Sequence, residues 1–150
     1  MNATSESLPL LLLKARESSI AHVRPILIEF GLTEQQWRVI RVLSRFSYLS
    51  AHDLAEESCI LSPSLSRILV RLETYGLITR KTDSVDQRAL NIKLTAKGKR
   101  LHNKIEPLIE KQYQKLSKNL GQETIINLMG ILQEFNAVGE RAASQQNNSG

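Results

Sequence analysis

The side chains with the clearest chemistry in this 150-residue chain lie on a helix predicted to start at Ser62. Ser64, Arg67 and Arg71 share one face of it, at spacings of three and four residues. The opposite face carries an apolar seam, formed by Leu65, Ile68, Leu69 and Leu72. Serine can donate to or accept from a base edge, and arginine can fork onto guanine O6 and N7 in a major groove. Taken alone, the same residues fit an ordinary solvated basic face equally well.

A predicted β-hairpin follows this helix and carries a second charged group. Gly76 ends the helix, and two short strands flank a turn that contains Asp86 and Arg88. An arginine on a thin wing can enter a minor groove, where the negative potential of DNA is concentrated. The aspartate then holds the guanidinium in place. The alternative is a surface ion pair of little energetic value, but helix and wing together favour DNA reading.

The charge distribution supports this interpretation. The formal net charge is +5, and residues 62–100 contain nine basic and three acidic side chains, a net of +6, so the rest of the chain sums to −1. The positive charge is therefore concentrated in the segment predicted to read DNA, as expected for a protein with a polyanionic partner.

The elements that must position these side chains are mainly helical. We predict six helices. The first covers 8–30 and is interrupted at Pro25, the second starts at the Thr33–Gln36 capping box, and the third starts at Ser50. The fourth has Ser62 as cap and Pro63 as first helical residue, the fifth runs from Thr95 to about 120 with a bend at Pro107, and the last covers 122–143. The fold class is mainly α with a small hairpin wing. It is one domain over 1–143, with a winged helix-turn-helix at about 32–95 and dimerisation helices at about 8–30 and 96–143. Residues 144–150 are predicted to be a disordered tail. The surplus apolar surface of the terminal helices predicts a homodimer, although the helices can also fold back on their own core.

Arg16 is the candidate for a regulatory site. It occupies an apolar seam of helical spacing with Leu13, Ile20, Val23, Leu27 and Phe30. A charge on such a stripe needs a partner, and a carboxylate ligand suits its bidentate fork. An intersubunit ion pair with a glutamate is the alternative. Trp37 can stack on an aromatic ring or pack in the core. His22 and Arg38 can add polar contacts to the ligand. Alternatively, His22 is a solvated surface residue and Arg38 is part of a basic surface stripe.

Several segments resemble the MarR family of winged-helix transcriptional regulators, over roughly residues 8–143. The most specific is the wing, residues 86–95, with the acid-x-Arg and Leu-Thr pattern, and residues 72–78 match the exit of the family's recognition helix. Residues 12–17, 32–38 and 58–61 look like repressors of homoprotocatechuate-degradation operons.

This resemblance implies a homodimeric repressor on a pseudo-palindromic operator, released by a small aromatic acid. It places Arg88 in the minor groove, steadied by Asp86. It puts six residues in or beside the major groove: Ser62, Pro63, Ser64, Ser66, Arg67 and Arg71. The expected effectors are homoprotocatechuate, 4-hydroxyphenylacetate or an indolic acid such as indole-3-acetate.

Other classes of protein find less support in the sequence. One cysteine excludes an internal disulfide and fits a reducing cytoplasm. Cys59 is interpreted as a buried, inert thiol, with a cysteine-based redox switch as the alternative. The apolar run 8–13 is too short to span a bilayer, and we expect no signal peptide. No metal-ligand spacing or catalytic arrangement is present, so we expect neither a cofactor nor an enzyme. A winged-helix protein–protein module remains the competing function.

Overall fold

The computed structural model describes residues 7–82 and 90–147. Within these residues the elements follow in the order α1 (Leu8–Ala21), α2 (Arg24–Glu29), α3 (Glu34–Leu43), α4 (Ala51–Ser58), α5 (Ser62–Thr74), β1 (Ile78–Thr82), β2 (Leu90–Leu94), α6 (Ala96–Leu120) and α7 (Gln122–Asn147). The chain divides into two compact units, Met1–Ile109 and Glu110–Gly150. All candidate site residues belong to the first unit.

The predicted helix over 8–30 is two helices, because Pro25 breaks it completely. Continuing α1 would require the N–H of residue 25 to bond the carbonyl of Ala21, and proline has no N–H. Pro25 lies instead in the first turn of α2, where a missing donor costs nothing. Leu27 of α2 is buried, whereas no residue of α1, which is described throughout, is buried. The seam that the sequence predicts therefore reaches the core only in its second half.

Side-chain caps fix the starts of α3 and α4, as predicted. Thr33 Oγ1 accepts from the N–H of Gln36 at 3.1 Å, and Gln36 Oε1 accepts from the N–H of Thr33 at 3.0 Å. Ser50 Oγ accepts from the N–H of Asp53 at 3.1 Å. These bonds, reciprocal at α3 and single at α4, satisfy N–H donors that would otherwise be unpaired at the start of each helix.

The predicted cap of α5 is wrong by one residue. Leu61 is the N-cap and makes no side-chain cap hydrogen bond, so Ser62 is the first helical residue and Pro63 the second. Either early position tolerates proline, because the first N–H groups of a helix have no partner within it. Pro63 thus correctly predicted the first turn of α5, but it did not identify which residue is the N-cap.

A two-stranded hairpin packs beside α3, α4 and α5. β1 and β2 are antiparallel, with Ile78 opposite Leu94 and Arg80 opposite Ile92. Leu49 adds a short bridge to the same sheet, exchanging hydrogen bonds with Ile92 at 2.8 and 2.9 Å. Apolar side chains from all these elements form the core, including Val39, Ile40, Leu54, Leu65, Leu72, Ile78 and Ile92. The hairpin is thus rooted in the core, and α5 is held against it.

α6 begins at the predicted cap and continues through Pro107. Thr95 Oγ1 accepts from the N–H of Gly98 at 3.0 Å. Within the first unit, α6 buries Ile105 and Ile109. In the second unit, α7 extends to Asn147, past the predicted end at residue 143.

Large apolar side chains are exposed in each unit. Along α7 they are spaced by three and four residues, and the set Leu128, Ile131, Phe135 and Val138 is 47–63% exposed. On α1 the exposed set is Leu8, Leu10, Leu11 and Leu13. Exposed apolar stripes of this kind are typical of association surfaces.

Candidate nucleic-acid interface and effector site

α5 presents a basic and hydroxylic face to solvent, as the sequence predicts. Leu65, Leu69 and Leu72 are buried, whereas Arg67 and Arg71 are exposed. At the start of the helix, Ser62 and Pro63 are exposed and Ser64 is half-buried. The face that can meet a DNA groove is therefore centred on the middle turns of α5, with Ser64 at its margin.

Two hydroxyl groups on α5 are committed to their own helix. Ser66 Oγ donates to the carbonyl of Ser62 at 3.1 Å, and Thr74 Oγ1 donates to the carbonyl of Val70 at 2.9 Å. Each hydroxyl has only one hydrogen to give. While these bonds are kept, both hydroxyl oxygens present lone pairs to an external partner and act as hydrogen-bond acceptors.

The C-terminal end of α5 is tied to the start of α6 by bonds that sequence reasoning missed. Lys97 Nζ donates to the carbonyl of Tyr75 at 2.7 Å, and Thr95 Oγ1 donates to the carbonyl of Gly76 at 2.7 Å. The N–H of Thr95 also bonds the carbonyl of Leu77 at 3.0 Å. These bonds satisfy carbonyls that the helix end leaves free, and they fix α5 relative to the hairpin.

Gly98 is required at this junction by lack of space. A Cβ atom at residue 98 would lie 2.2 Å from the carbonyl oxygen of Leu77 and 3.2 Å from a side-chain carbon of Leu94. The closest obstacle is backbone, which cannot turn away as a side chain can. Only glycine lets the first turn of α6 approach the start of β1 so closely.

An ion pair joins the recognition helix to the wing. Arg80 on β1 donates from Nη2 to Glu73 Oε1 at 3.0 Å and from Nε to Glu73 Oε2 at 3.3 Å, a bidentate geometry. This hydrogen bond lowers the pKa of Glu73 and raises the pKa of Arg80 from their usual values. The pairing neutralises the acidic side chain of α5 that would otherwise oppose a phosphate backbone. Asp86 and Arg88, the predicted wing-tip pair, lie outside the described residues.

Arg16 is exposed and ion-paired within its own chain. Its guanidinium donates to Glu34 Oε1 on α3 and to Glu17 Oε1 at 3.4 Å. Arg24 donates to Glu17 at 2.8 Å and approaches Glu34 to 3.7 Å. With Arg38, which also binds Glu34, three arginines surround two carboxylates, so this Arg16 cluster (Arg16, Glu17, Arg24, Glu34 and Arg38) carries a formal charge of +1.

Arg38 links the Arg16 cluster to the turn that precedes α5. Its Nη2 donates to Glu34 at 3.3 Å, while its Nη1 donates to the carbonyls of Ser58 at 3.0 Å and Cys59 at 3.3 Å. Burial and then the charge of Arg16 lower the pKa of Arg38. The guanidinium is therefore in surroundings that would gain from a further anion.

Trp37 is buried in the core, the alternative to ligand stacking that the sequence left open. Its indole ring also stacks on the imidazole of His102. The ring of His102 lies parallel to the indole at 14°, with 5.5 Å between ring centroids. His102 Nε2 is 3.7 Å from Glu106 Oε2, and Arg41 donates to Glu106 Oε1 at 3.1 Å. Glu106 Oε2 is buried without a hydrogen-bond partner among the described residues. The contact between Trp37 and His102 joins residues 65 positions apart in the chain, so no local sequence pattern predicts it.

The other two predicted candidates are on the surface. His22 is exposed at the C-terminal end of α1. Cys59 is exposed, which contradicts the expected burial, and it has a left-handed backbone with φ 50°. A sharp turn between α4 and α5 places Cys59 outward, while its neighbours Ser58 and Ile60 are buried.

Within residues 7–82 and 90–147, no group of histidine, cysteine and acidic side chains has the geometry to hold a metal ion. Each helix in the described part of the chain is too short or too polar to span a lipid bilayer.

A helix-turn-helix with a basic outward face, followed directly by a β-hairpin, defines the winged helix-turn-helix class of DNA-binding proteins. The MarR family model matches residues 32–90, which cover α3 to the start of β2. Over 134 residues the chain is 42% identical to the homoprotocatechuate degradative operon repressor of Escherichia coli, covering 89% of this chain and 90% of that protein. The chain belongs to the MarR family of transcriptional regulators.

Solved structures agree in fold over nearly the whole chain. The transcriptional regulator PA4135 superposes with a TM-score of 0.86 at 39% identity, covering 89% of this chain and 98% of that one. NadR in complex with 4-hydroxyphenylacetate superposes with a TM-score of 0.79 at 39% identity, covering 90% and 96%. The sequence-based prediction of the family and fold class is thereby confirmed.

Proposed function

We propose that this protein is a cytoplasmic, homodimeric repressor of an aromatic-acid catabolic operon, released from its operator by an aryl carboxylate. Identity to a homoprotocatechuate operon repressor supports the target class, and likeness to a 4-hydroxyphenylacetate complex supports the effector class. The exposed apolar stripes of α1 and α7 support the dimer.

The proposed DNA contacts follow from the outward face of α5 and from the wing. Six residues approach the major groove: Ser62, Pro63, Ser64, Ser66, Arg67 and Arg71. Arg88, held by Asp86, enters the adjacent minor groove. In a dimer the two α5 helices meet successive major grooves about 34–36 Å apart, which requires a pseudo-palindromic operator.

The observation that carries the effector site is the position of Trp37 between two arginine–carboxylate groups. Glu34, which binds Arg16, lies one turn before Trp37 on α3, and Arg41, which binds Glu106, lies one turn after it. The Arg16 cluster has a surplus positive charge, whereas the Arg41–Glu106 pair is balanced. A monoanionic carboxylate is therefore expected at Arg16 and Arg38, in competition with Glu34.

The other end of the effector is expected at Glu106. Its Oε2 is a buried acceptor in need of a donor, and a ring hydroxyl opposite the acid supplies one. The aromatic ring would take the place of the His102 imidazole on Trp37, with His22 as a polar contact near the surface. This arrangement favours 4-hydroxyphenylacetate and homoprotocatechuate, and indole-3-acetate can use its ring N–H in the same way.

Release from DNA would pass through Arg38. Its guanidinium binds Glu34 on one side and the carbonyls of Ser58 and Cys59 on the other. A ligand carboxylate that draws Arg38 away weakens its hold on the turn leading into α5. Because the two recognition helices must match the groove spacing, a shift of a few ångströms in each is enough to lower affinity.

The Arg16→Ala variant tests this effector site. It should bind the operator as the wild type does, because Arg16 is on α1 and not on α5, and it should lose release by 4-hydroxyphenylacetate. Fluorescence anisotropy of a labelled operator, titrated with the acid, measures both properties. At least about a tenfold higher acid concentration is expected for half-release, the loss of one charge-assisted hydrogen bond.

Arg45→Ala is the matched control, because Arg45 is an exposed arginine in the turn after α3, and among the described contacts it lies near only the Phe46 ring. It should respond as the wild type does. A normal response of Arg16→Ala to the acid would contradict the proposed position of the carboxylate. If Arg41→Ala alone lost the response, the carboxylate would instead bind at Arg41, one turn after Trp37 on α3.

The exposure of Cys59 beside α5 favours one alternative, a redox-responsive regulator. Under this alternative, peroxide would release the operator from the wild type and not from Cys59→Ser, while the aryl acid would have no effect. A gel shift over a range of salt concentrations excludes or supports the remaining alternative, a protein–protein module. A regulator shows sequence-selective binding that weakens steeply with salt, and a module shows none.

A further inference from the structure

Val70 is an apolar residue in the middle of the DNA-reading face. It is 54% exposed, and it lies one turn beyond Ser66 and Arg67 and next to Arg71 on α5. Valine is a poorer helix former than alanine, and more than half of this side chain is open to solvent. An apolar group on a bound partner would cover the exposed part of this side chain, which is favourable because it removes apolar surface from water.

Ser66, four residues before Val70, has a restricted hydrogen-bonding role. Its hydroxyl hydrogen is used by the carbonyl of Ser62 at 3.1 Å, so it offers only lone pairs outward. In a major groove it can therefore accept from an exocyclic amine, adenine N6 or cytosine N4, while keeping this bond, whereas donation to guanine O6 or N7 would require the hydroxyl to give up the bond to Ser62. The internal bond thus narrows what this serine can read.

In the major groove, an A·T pair presents both an apolar group for Val70 and a hydrogen-bond donor for Ser66. The thymine C5-methyl group is the apolar feature of a major-groove edge, and adenine N6 is a donor beside it. Ser66 and Val70 are four residues apart, about 6 Å along a helix axis, and base pairs are about 3.4 Å apart. The two side chains can therefore contact base pairs that are one or two steps apart.

We infer that Val70 reads a thymine methyl group, and Ser66 an adenine N6, at A·T pairs one or two steps apart in each operator half-site. Val70 is thus a specificity-determining residue. This inference rests on the proposed placement of α5 in the major groove. Arg67 and Arg71, which flank Val70, remain available for guanine or phosphate.

The test removes single methyl groups from the DNA. An operator is obtained by in vitro selection, and each thymine in a half-site is replaced in turn with deoxyuridine, which pairs identically and lacks the methyl. At one position the wild type should lose about fourfold in affinity, the value of one buried methyl. Val70→Ala should bind the thymine site more weakly and show no difference between thymine and uridine at that position.

A second comparison tests Ser66 in the same way. Replacing one adenine with purine, which lacks the N6 amine, should weaken the wild type and leave Ser66→Ala unaffected at that pair. Ile28→Ala is the matched control: Ile28 is exposed on α2, away from the reading face. This variant should keep the full wild-type response to both base replacements.

The outcomes separate this inference from the function on which it rests. Selective, salt-sensitive binding with no uridine effect at any thymine would overturn the role of Val70 alone, as would a full uridine effect in Val70→Ala. Absence of any selective DNA binding by the wild type would overturn the proposed function itself.

Discussion

Replacing Gly98 with alanine is expected to lower the free energy of unfolding of the winged-helix unit by about 3 kcal/mol. The new Cβ would lie 2.2 Å from the carbonyl oxygen of Leu77, well inside van der Waals contact. Relief requires α6 to move away from β1, which strains the bonds that Thr95 makes to Gly76 and Leu77. Urea denaturation followed by circular dichroism measures the loss.

Gly130→Ala is the matched control for this substitution. Gly130 lies within α7, and a Cβ atom there would have no heavy atom within 4 Å other than its local helix. Alanine is a better helix former than glycine, so this variant should be more stable by about 0.5–1 kcal/mol. A Gly98→Ala protein as stable as the wild type would show that the α6–β1 contact is loose enough to adjust.

Local signals in the sequence were sufficient to predict most of the fold. The Thr33–Gln36 capping box, the cap at Ser50 and the stop at Gly76 each depend on residues within four positions of one another. Where the prediction failed, the competing signal was also local. Pro25 separates two helices, because the N–H it lacks is the one that α1 would need to continue. At Ser62, a proline compatible with either of the first two helical positions gave no unique start.

The candidate sites could be predicted only in part, because their partners are distant in the chain. Arg16 was identified by its place on an apolar seam, but α1 is exposed, and the partner, Glu34, is 18 residues away. Trp37 and His102 meet only after α6 packs on α3. The pair Glu34 and Arg38, four residues apart on one helix, was a readable signal of an ion pair.

Arg38 connects two regions that are separate in the sequence. Arg38 was predicted as a ligand contact, and the turn at Cys59 as a possible redox site. One guanidinium contacts both the carboxylate of Glu34 and the carbonyl of Cys59. Any ligand that changes the bonding of Arg38 would therefore act directly on the turn that precedes α5.

Replacing Arg88 with alanine is expected to weaken operator binding about 5- to 150-fold, the value of a specific arginine contact of about 1–3 kcal/mol. The expectation rests on the acid-x-Arg wing pattern, since Arg88 lies outside the described residues. A narrow minor groove has an enhanced negative potential that attracts an inserted guanidinium. The loss of operator affinity should therefore depend on the width of the minor groove as well as on the loss of one positive charge. Anisotropy titrations over a range of salt concentrations measure both.

The minor groove itself provides the decisive comparison for Arg88. Diaminopurine in place of adenine adds an amine to that groove and leaves the major groove unchanged, so it should weaken wild-type binding and leave Arg88→Ala unaffected. Lys93→Ala removes an exposed positive charge from β2 and should remain sensitive to diaminopurine, because a lysine near the phosphates acts on charge alone. If Arg88→Ala kept full sensitivity to diaminopurine, the arginine would be a phosphate contact, and sequence reading would rest on α5 alone.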